Sequence, residues 1–377
     1  MKIRYTYKLR PGRQAAAVLL REAGLCRWVW NQAAEAWKSG QPRLSDKHLT
    51  GLRKTNDWLK AGSVVPQQQV LRDFYQAKSP HRNYKSKRDN WVSLNYTRNG
   101  FTLKTVGGRL RLCVAKCPPI PVVWSRPLPS EPSSVRVCKD RCGDWWASFV
   151  VNVNDEPLPG NDLVLGVDWG VKAVATTNLE EYDLPHSGHG RQAQQQVAVL
   201  SRRMARKKLR PGQEASGHYR RLRRRKAVLQ RHTARQRLDD AHKWAKRCVD
   251  MFGVLAVEDY RHPTPGTGVR RKDRNVNRAA YDAAVAVAKR VLVSKAERAG
   301  RKVVMVDPAY TSQVCSQCGA TAKTALGLRD RVYECGRCGL ILGRDVNAAR
   351  NMIHEAGRVL GRVENVRPDG ATALLAV

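Results

Sequence analysis

Cys315 and Cys318, then Cys335 and Cys338, form two C-x2-C pairs separated by sixteen residues. Each pair can close one side of a tetrahedral metal, and the stretch between them has the length of a hairpin. This is the spacing of a zinc ribbon. Gly319 and Gly339 follow the second cysteine of each pair and free the backbone to turn around the metal. Four thiolates leave no open coordination position, so the expected zinc is structural. Cys113, Cys117, Cys138 and Cys142 make two further C-x3-C pairs. A second zinc site there is conceivable, but on strands that spacing puts both thiols of a pair on one face without a turn around a metal.

Three carboxylates stand where a strand or helix end would present them. Asp168 follows the apolar run LVLGV, Glu258 ends VLAVE, and Asp345 opens a helix seven residues after Cys338. Singly, each has an ordinary explanation: a turn former, a solvated strand end, a helix cap. Together, hard oxygen ligands from three separate elements are what Mg²⁺ sites for phosphate chemistry require, with two ions about 4 Å apart. Asp259 lies beside Glu258, but on a strand it points to the opposite face.

The elements that would position these groups follow from periodicity and turn residues. KIRYTYKL (2–9) alternates as a strand, and residues 11–80 read as helices, with stops at Gly40 and Pro42 and starts at Ser45–Asp46 and Pro66. The second of these helices is expected to run through Leu59. Short β segments follow at 91–96, 101–106, 109–115, 122–125, 134–139 and 145–153, with Gly107-Gly108 as a hairpin turn. They predict a small antiparallel barrel that the strand at 2–9 could join. After a Pro/Gly linker at 154–162, strands at 163–170, 171–178, 253–259 and 302–307 alternate with helices at 192–249, 277–299 and from 345. A break in the first of these helices is expected at Pro211-Gly212. The order predicts a mixed sheet with helices on it. The tail from 358 has no clear pattern.

The 377 residues carry 69 Lys and Arg against 32 acids, a net charge of +37. That excess implies a polyanionic partner, with nucleic acid as the default. No run approaches the roughly eighteen apolar residues of a spanning helix, and the basic N-terminus lacks an apolar signal core. Ten cysteines arranged partly as zinc pairs fit a reducing cytoplasm. Arg202, Arg203, Arg206, Lys207, Lys208, Arg210, Arg220, Arg221, Arg223, Arg224, Arg225 and Lys226 share one segment with a single acid, Glu214. Like charges at i,i+4 repel within a helix, and a phosphate backbone would supply the missing counter-charge. Arg270, Arg271 and Lys272 make a second patch. Trp28, Trp30, Trp91, Trp145 and Trp146 could stack on bases, although core packing is the commoner role.

LGVDWGVKAVATT (165–177), VLAVEDY (254–260), TSQVCSQCG (311–319) and CGRCGLILGRDVNAARNM (335–352) resemble the TnpB (OrfB) proteins of bacterial insertion sequences. GLCRWVWNQA (24–33) and DDAHKWAKR (239–247) extend the likeness over nearly the whole chain. The family comprises RNA-guided nucleases related to compact type V CRISPR effectors. The resemblance implies an α+β multidomain protein. A wedge β-barrel would span 1–10 and 85–155 and a helical recognition module 11–84. An RNase H-like, RuvC-type domain would span 160–377, with its zinc element at 311–342. It implies Asp168, Glu258 and Asp345 as ligands of catalytic Mg²⁺, a guide RNA, and double-stranded target DNA beside a short flanking motif. Trp169 departs from the aliphatic residue usual after the first Asp, and 261–275 matches poorly. His242 would serve RNA or packing. The rival readings are a guide-free transposase joining strands by the same chemistry and a guided regulator that does not cut.

Overall fold

The computed structural model describes residues 1–77, 83–86, 92–154, 157–170, 172–207, 213–259, 284–322, 326, 330–366 and 372–376. The chain divides into two compact units, Met1–Asn154 and Asp155–Val377.

In the first unit, β1 (Lys2–Leu9) leads into α1 (Arg13–Lys38), α2 (Asp46–Thr55), α3 (Asp57–Lys60) and α4 (Val64–Gln76). Strands β2 (Val92–Thr97), β3 (Phe101–Val106), β4 (Arg109–Val114), β5 (Ile120–Val123), β6 (Ser134–Lys139) and β7 (Trp145–Asn152) follow. Together with β1 they form an antiparallel half-barrel in the order β2-β6-β7-β1-β5-β4-β3. Gly107 and Gly108 have φ of +58° and +69°, the left-handed pair a tight hairpin needs. The helices do not make a core of their own. Leu19, Val29 and Phe74 from the helices share one buried cluster with Tyr7, Tyr96 and Phe149 from the sheet.

Two helix boundaries differ from the sequence reading. Ser45 caps α2 as expected, its hydroxyl accepting from the His48 amide. The helix stops at Thr55, because Asn56 takes an extended conformation and restarts a short turn. Pro66 sits inside the first turn of α4, where a missing N–H costs nothing, rather than at its first residue.

The second unit contains β8 (Leu163–Trp169), β9 (Ala173–Thr177), β10 (Leu184–Pro185), α5 (His189–Ala205), α6 (Gly217–Met251) and β11 (Val254–Glu258). It continues with α7 (Val285–Arg298), β12 (Lys302–Val306), β13 (Val332–Glu334), β14 (Ile341–Gly343) and α8 (Arg344–Leu360). The main sheet has the order β10-β9-β8-β11-β12: β8, β11 and β12 run parallel, β9 is antiparallel to β8, and β10 is antiparallel to β9. The tail forms a hairpin, β15 (Arg362–Val366) and β16 (Thr372–Ala376), and β16 pairs with the start of β8. The break expected at Pro211-Gly212 and the start of the helix expected from Asn277 lie outside the described residues.

Alternation along the strands divides the two faces. Leu165, Val167, Leu255 and Val257 pack against Trp244 and Cys248 of α6 and Leu292 of α7. Val164, Ala256 and Val304 pack on the other face against Met352, Ile353 and Ala356 of α8. By the two-residue period, Asp168 and Glu258 fall on the α8 face. Gly166 lets α8 approach so closely that an added Cβ would lie 1.9 Å from the Ala349 carbonyl oxygen. Gly166→Ala must therefore push α8 off the sheet and should cost about 1–3 kcal/mol. Gly217→Ala, which opens into free space, should be nearly neutral. Thermal unfolding of the two variants checks this, and equal melting temperatures would contradict it.

Candidate functional site

Asp168, on β8, and Glu258, the last residue of β11, leave neighbouring parallel strands at the same edge. Val167 pairs with Val257 in register, so the two acids come next in line. Asp345 enters at the first turn of α8, the helix lying on that face. The structure thus brings together all three acids read from the sequence. Burial first, then the charges of Glu258 and Asp345, push the Asp168 carboxyl well above its usual range, while Arg344 pulls it down. Burial also raises Glu258, against a hydrogen bond from the Trp169 amide at 3.1 Å and the charge of Lys289. Asp345 meets Arg344 at 3.4 Å and Arg331 at 3.7 Å. Asp259 points the other way, as the alternation requires, and pairs with Lys289 at 2.9 Å.

Trp169 does more than fill space. Its ring N–H donates to the Glu258 carbonyl at 3.2 Å and its backbone N–H to the Glu258 carboxylate, so two bonds tie β8 to β11 beside the acids. The ring packs edge-on against Trp244.

The zinc-ribbon cysteines converge. Their four sulfurs lie within 4.8 Å of one another, the one group of three or more potential ligands this close among the described residues. Sγ of Cys315 is 3.6 Å from that of Cys338, and Sγ of Cys318 is 3.6 Å from that of Cys335. A tetrahedron with Zn–S bonds of about 2.3 Å has edges of about 3.8 Å, so the donor set fits zinc in size and softness. The two knuckles repeat one geometry. The Cys315 and Cys335 amides donate to Ala320 and Leu340, and Gly319 and Gly339 donate back to Cys315 and Cys335. Both glycines have positive φ, +70° and +73°. Amides of Cys338 and Arg337 lower the Cys335 thiol to about 6. At Cys338 the Leu340 amide also lowers the pKa, but burial and the neighbouring thiols outweigh it and leave the group at about 12. Burial, then Cys113, raises Cys117 to about 11.

Sequence reasoning passed over Asn347 and Asn351. Both are buried on α8. The Asn347 side chain accepts from the Ser316 amide at 2.9 Å and donates to the Val314 carbonyl at 2.7 Å. Asn351 donates to Thr311 and Val314, each at 2.7 Å. The first knuckle is therefore bonded to the helix that carries Asp345. Two asparagines at i,i+4 inside a helix, where they are unfavourable unless bonded to something, were the available signal.

Arg202 and Arg203 lie in the last turn of α5, followed by Arg206 and Lys207; Arg220, Arg221, Arg223, Arg224, Arg225 and Lys226 lie near the start of α6. All but Lys226 are exposed, and Arg220 meets Glu214 at 3.8 Å. Lys208, Arg210, Arg270, Arg271 and Lys272 lie outside the described residues, as does Trp91. Three of the tryptophans, Trp28, Trp30 and Trp145, follow the packing alternative, and Trp146 is half-buried. Trp145 is buried, Trp28 and Trp30 stand edge-on to Trp58 and Phe74, and Trp146 donates to Asp140 at 3.0 Å. His242 is on the exposed side of α6.

A carboxyl raised by folding binds a proton that the unfolded chain has released. In the metal-free protein this group therefore favours folding in acid, and stability falls as pH rises from the ordinary Asp value toward the raised one. Asp168→Asn should remove that loss, giving a metal-free variant with a higher melting temperature than the parent at neutral pH and a similar one in acid. A lower melting temperature at neutral pH would contradict it. Cys335→Ser should release zinc, measured by atomic absorption, and lower the unfolding temperature of this unit. A zinc-free variant of unchanged stability would show that the metal is not structural.

Three family profiles match the chain: "Helix-turn-helix domain" over residues 1–40, the OrfB profile described as "Probable transposase" over 148–262, and the Cas12f1-like TNB domain over 288–352. Residues 1–40 hold one strand and one long helix. A Streptomyces pristinaespiralis protein provisionally named an RNA-guided DNA endonuclease is 31% identical, covering 98% of this chain and 92% of its own. The protein InsQ of Escherichia coli (strain K12), with the same provisional name, is 26% identical over 96% and 94%. A cryo-EM structure of a Cas12f1–sgRNA–target DNA complex superposes with a TM-score of 0.54 at 13% identity, covering 90% of this chain and 83% of that one, which shows a shared fold. A relative 31% identical over 98% of the chain and the OrfB profile across the first two acids lead to one conclusion: this chain belongs to the OrfB (TnpB) family, related to the Cas12f proteins.

Proposed function

We propose that this chain is an RNA-guided DNA endonuclease encoded by an insertion sequence, cutting with a single RuvC-type site made of Asp168, Glu258 and Asp345. One observation carries the reading. Three carboxylates from segments some ninety residues apart meet at one sheet edge, close enough for Glu258 and Asp345 to push the Asp168 carboxyl upward. A fold stabilised for its own sake would not crowd like charges there. The names of the full-length relatives agree with it. The sheet order, with β9 and β16 antiparallel and β11 parallel to β8 and β12 parallel to β11, supports an RNase H-like assignment of residues 160–377. The wedge and recognition roles of 1–10 with 85–155 and of 11–84 follow the family reading.

Asp168, Glu258 and Asp345 would hold Mg²⁺, two ions in the usual arrangement; hard oxygen donors on three elements suit that cation. When bound there, the ions supply Lewis-acid polarisation of the phosphodiester and lower the pKa of water. The protein's own share is position and charge. The Trp169 amide fixes the Glu258 carboxylate against the sheet edge. Arg344 offsets part of the charge at Asp168 and Asp345. Burial favours the protonated form of Asp168 and Glu258, and any such proton must leave before a cation can bind. Cutting should accordingly fall as pH is lowered, and added Mg²⁺ should move that limb to lower pH.

The basic ends of α5 and α6 would contact phosphates of guide RNA or DNA without reading sequence. Sequence would be read by guide–target pairing, next to a short flanking motif in double-stranded DNA. The test is expression with native flanking DNA, purification in high salt and sequencing of the bound RNA. The expected result is one discrete RNA whose 3′ end leaves the element, and Mg²⁺-dependent cutting of DNA matching that end. Asp168→Ala should retain the RNA and lose cutting by at least about 10²-fold, since several kcal/mol of transition-state stabilisation go with the metal site. Absent or random RNA would favour the guide-free transposase. Tight guided binding without cutting would favour the regulator.

A further inference from the structure

The paired register of β8 and β11 runs from Val164 and Val254 to Val167 and Val257 and ends there, one residue short of Asp168 and Glu258. Beyond that point each strand is held on its outer side. Asp168 and Trp169 still pair with Thr176 and Ala175 of β9. Glu258 pairs with Val306 of β12, whose carbonyl accepts from the Asp259 amide at 2.7 Å. The seam between the two acids therefore lies outside the paired register.

Trp169 crosses that seam twice. Its amide donates to the Glu258 carboxylate at 3.1 Å and its ring N–H to the Glu258 carbonyl at 3.2 Å. The ring comes from the face of the sheet opposite to Asp168, as neighbours on a strand must, and is held firmly there. It is 7% exposed and stands edge-on to Trp244, with ring centroids 5.9 Å apart. Trp244 is fixed in turn by its own ring N–H, which donates to the Tyr182 carbonyl at 2.7 Å. An aliphatic side chain at 169 would keep the amide bond and leave the end of β11 without the second one.

Carboxylates of fixed spacing suit a cation that tolerates little variation. Mg²⁺ demands near-ideal octahedral geometry at about 2.0–2.1 Å, whereas Ca²⁺ accepts flexible arrangements at about 2.3–2.6 Å. We infer that Trp169 is a positioning residue of the carboxylate site. Its indole holds β11 to β8, so that the gap between Asp168 and Glu258 favours Mg²⁺ over Ca²⁺. The inference rests on the nuclease reading above and gives the side chain at 169 a part in cation choice without contact with the cation.

The test uses full-length, zinc-loaded protein freed of RNA, with Mn²⁺ as the probe. The paramagnetic resonance signal of free Mn²⁺ disappears on binding, and competing Mg²⁺ or Ca²⁺ restores it. Asp168→Ala defines which binding belongs to this site. Trp169→Phe keeps a ring and removes the N–H. Its Mg²⁺ affinity should fall roughly tenfold, the lower end for losing a group that orients a metal ligand, while its Ca²⁺ affinity changes little. Guided cutting by this variant should need correspondingly more Mg²⁺ and regain the parent's rate when Mg²⁺ is saturating. Trp169→Leu, which lacks the ring as well, should match Trp169→Phe in cation affinity and melt lower. Trp244→Phe loses a comparable buried bond, so it should melt below the parent with its cation affinities unchanged. An unchanged Mg²⁺ affinity in Trp169→Phe, an equal loss for Mg²⁺ and Ca²⁺, or the same loss in Trp244→Phe would overturn the positioning role. If the parent meanwhile cuts under guidance and binds Mn²⁺ through Asp168, that role alone falls. A parent without Asp168-dependent Mn²⁺ binding would overturn the nuclease reading together with it.

Discussion

Carboxylates that converge on a partly buried sheet edge repel one another, and their desolvation adds to the cost. Asp168 registers both effects, raised by burial and then by Glu258 and Asp345. Much of the second unit can be understood as the framework that enforces this convergence. Parallel pairing of β8 with β11 sets two acids side by side, and Trp169 fastens the strands with bonds to both the backbone and the carboxylate of Glu258. Gly166 allows α8 to lie against the sheet, which brings Asp345 to the same edge.

The zinc ribbon belongs to this framework through α8. Asn347 and Asn351 bond that helix to the first knuckle, so folding of the ribbon around its four thiols and seating of Asp345 are mechanically linked. A metal with no open coordination position can in this way influence a reaction it never touches.

Much of this was legible in the sequence because its signals were local. The C-x2-C spacing and the following glycines gave the knuckles, and period-two alternation placed Glu258 and Asp259 on opposite faces. Gly107-Gly108 marked a hairpin, and Ser45 a cap. What could not be read were relations between distant segments. Nothing in the run 345–351 says that Asn347 and Asn351 bond residues 311–316, and nothing around Gly166 names Ala349 as its neighbour. The tail lacked a pattern because its strands add to an existing sheet at β8 rather than building a face of their own. Asn56 shows the reverse case, where a residue favoured at helix caps ends one helix and begins the next within an otherwise helical run.

The most direct test of the central claim is a crystal of the zinc-loaded protein soaked in Mn²⁺, a divalent stand-in for Mg²⁺ that is visible by anomalous scattering. Manganese should bind at Asp168, Glu258 and Asp345, with zinc alone among Cys315, Cys318, Cys335 and Cys338. Manganese elsewhere, with those three carboxylates left to Arg344, Arg331 and Trp169, would contradict it.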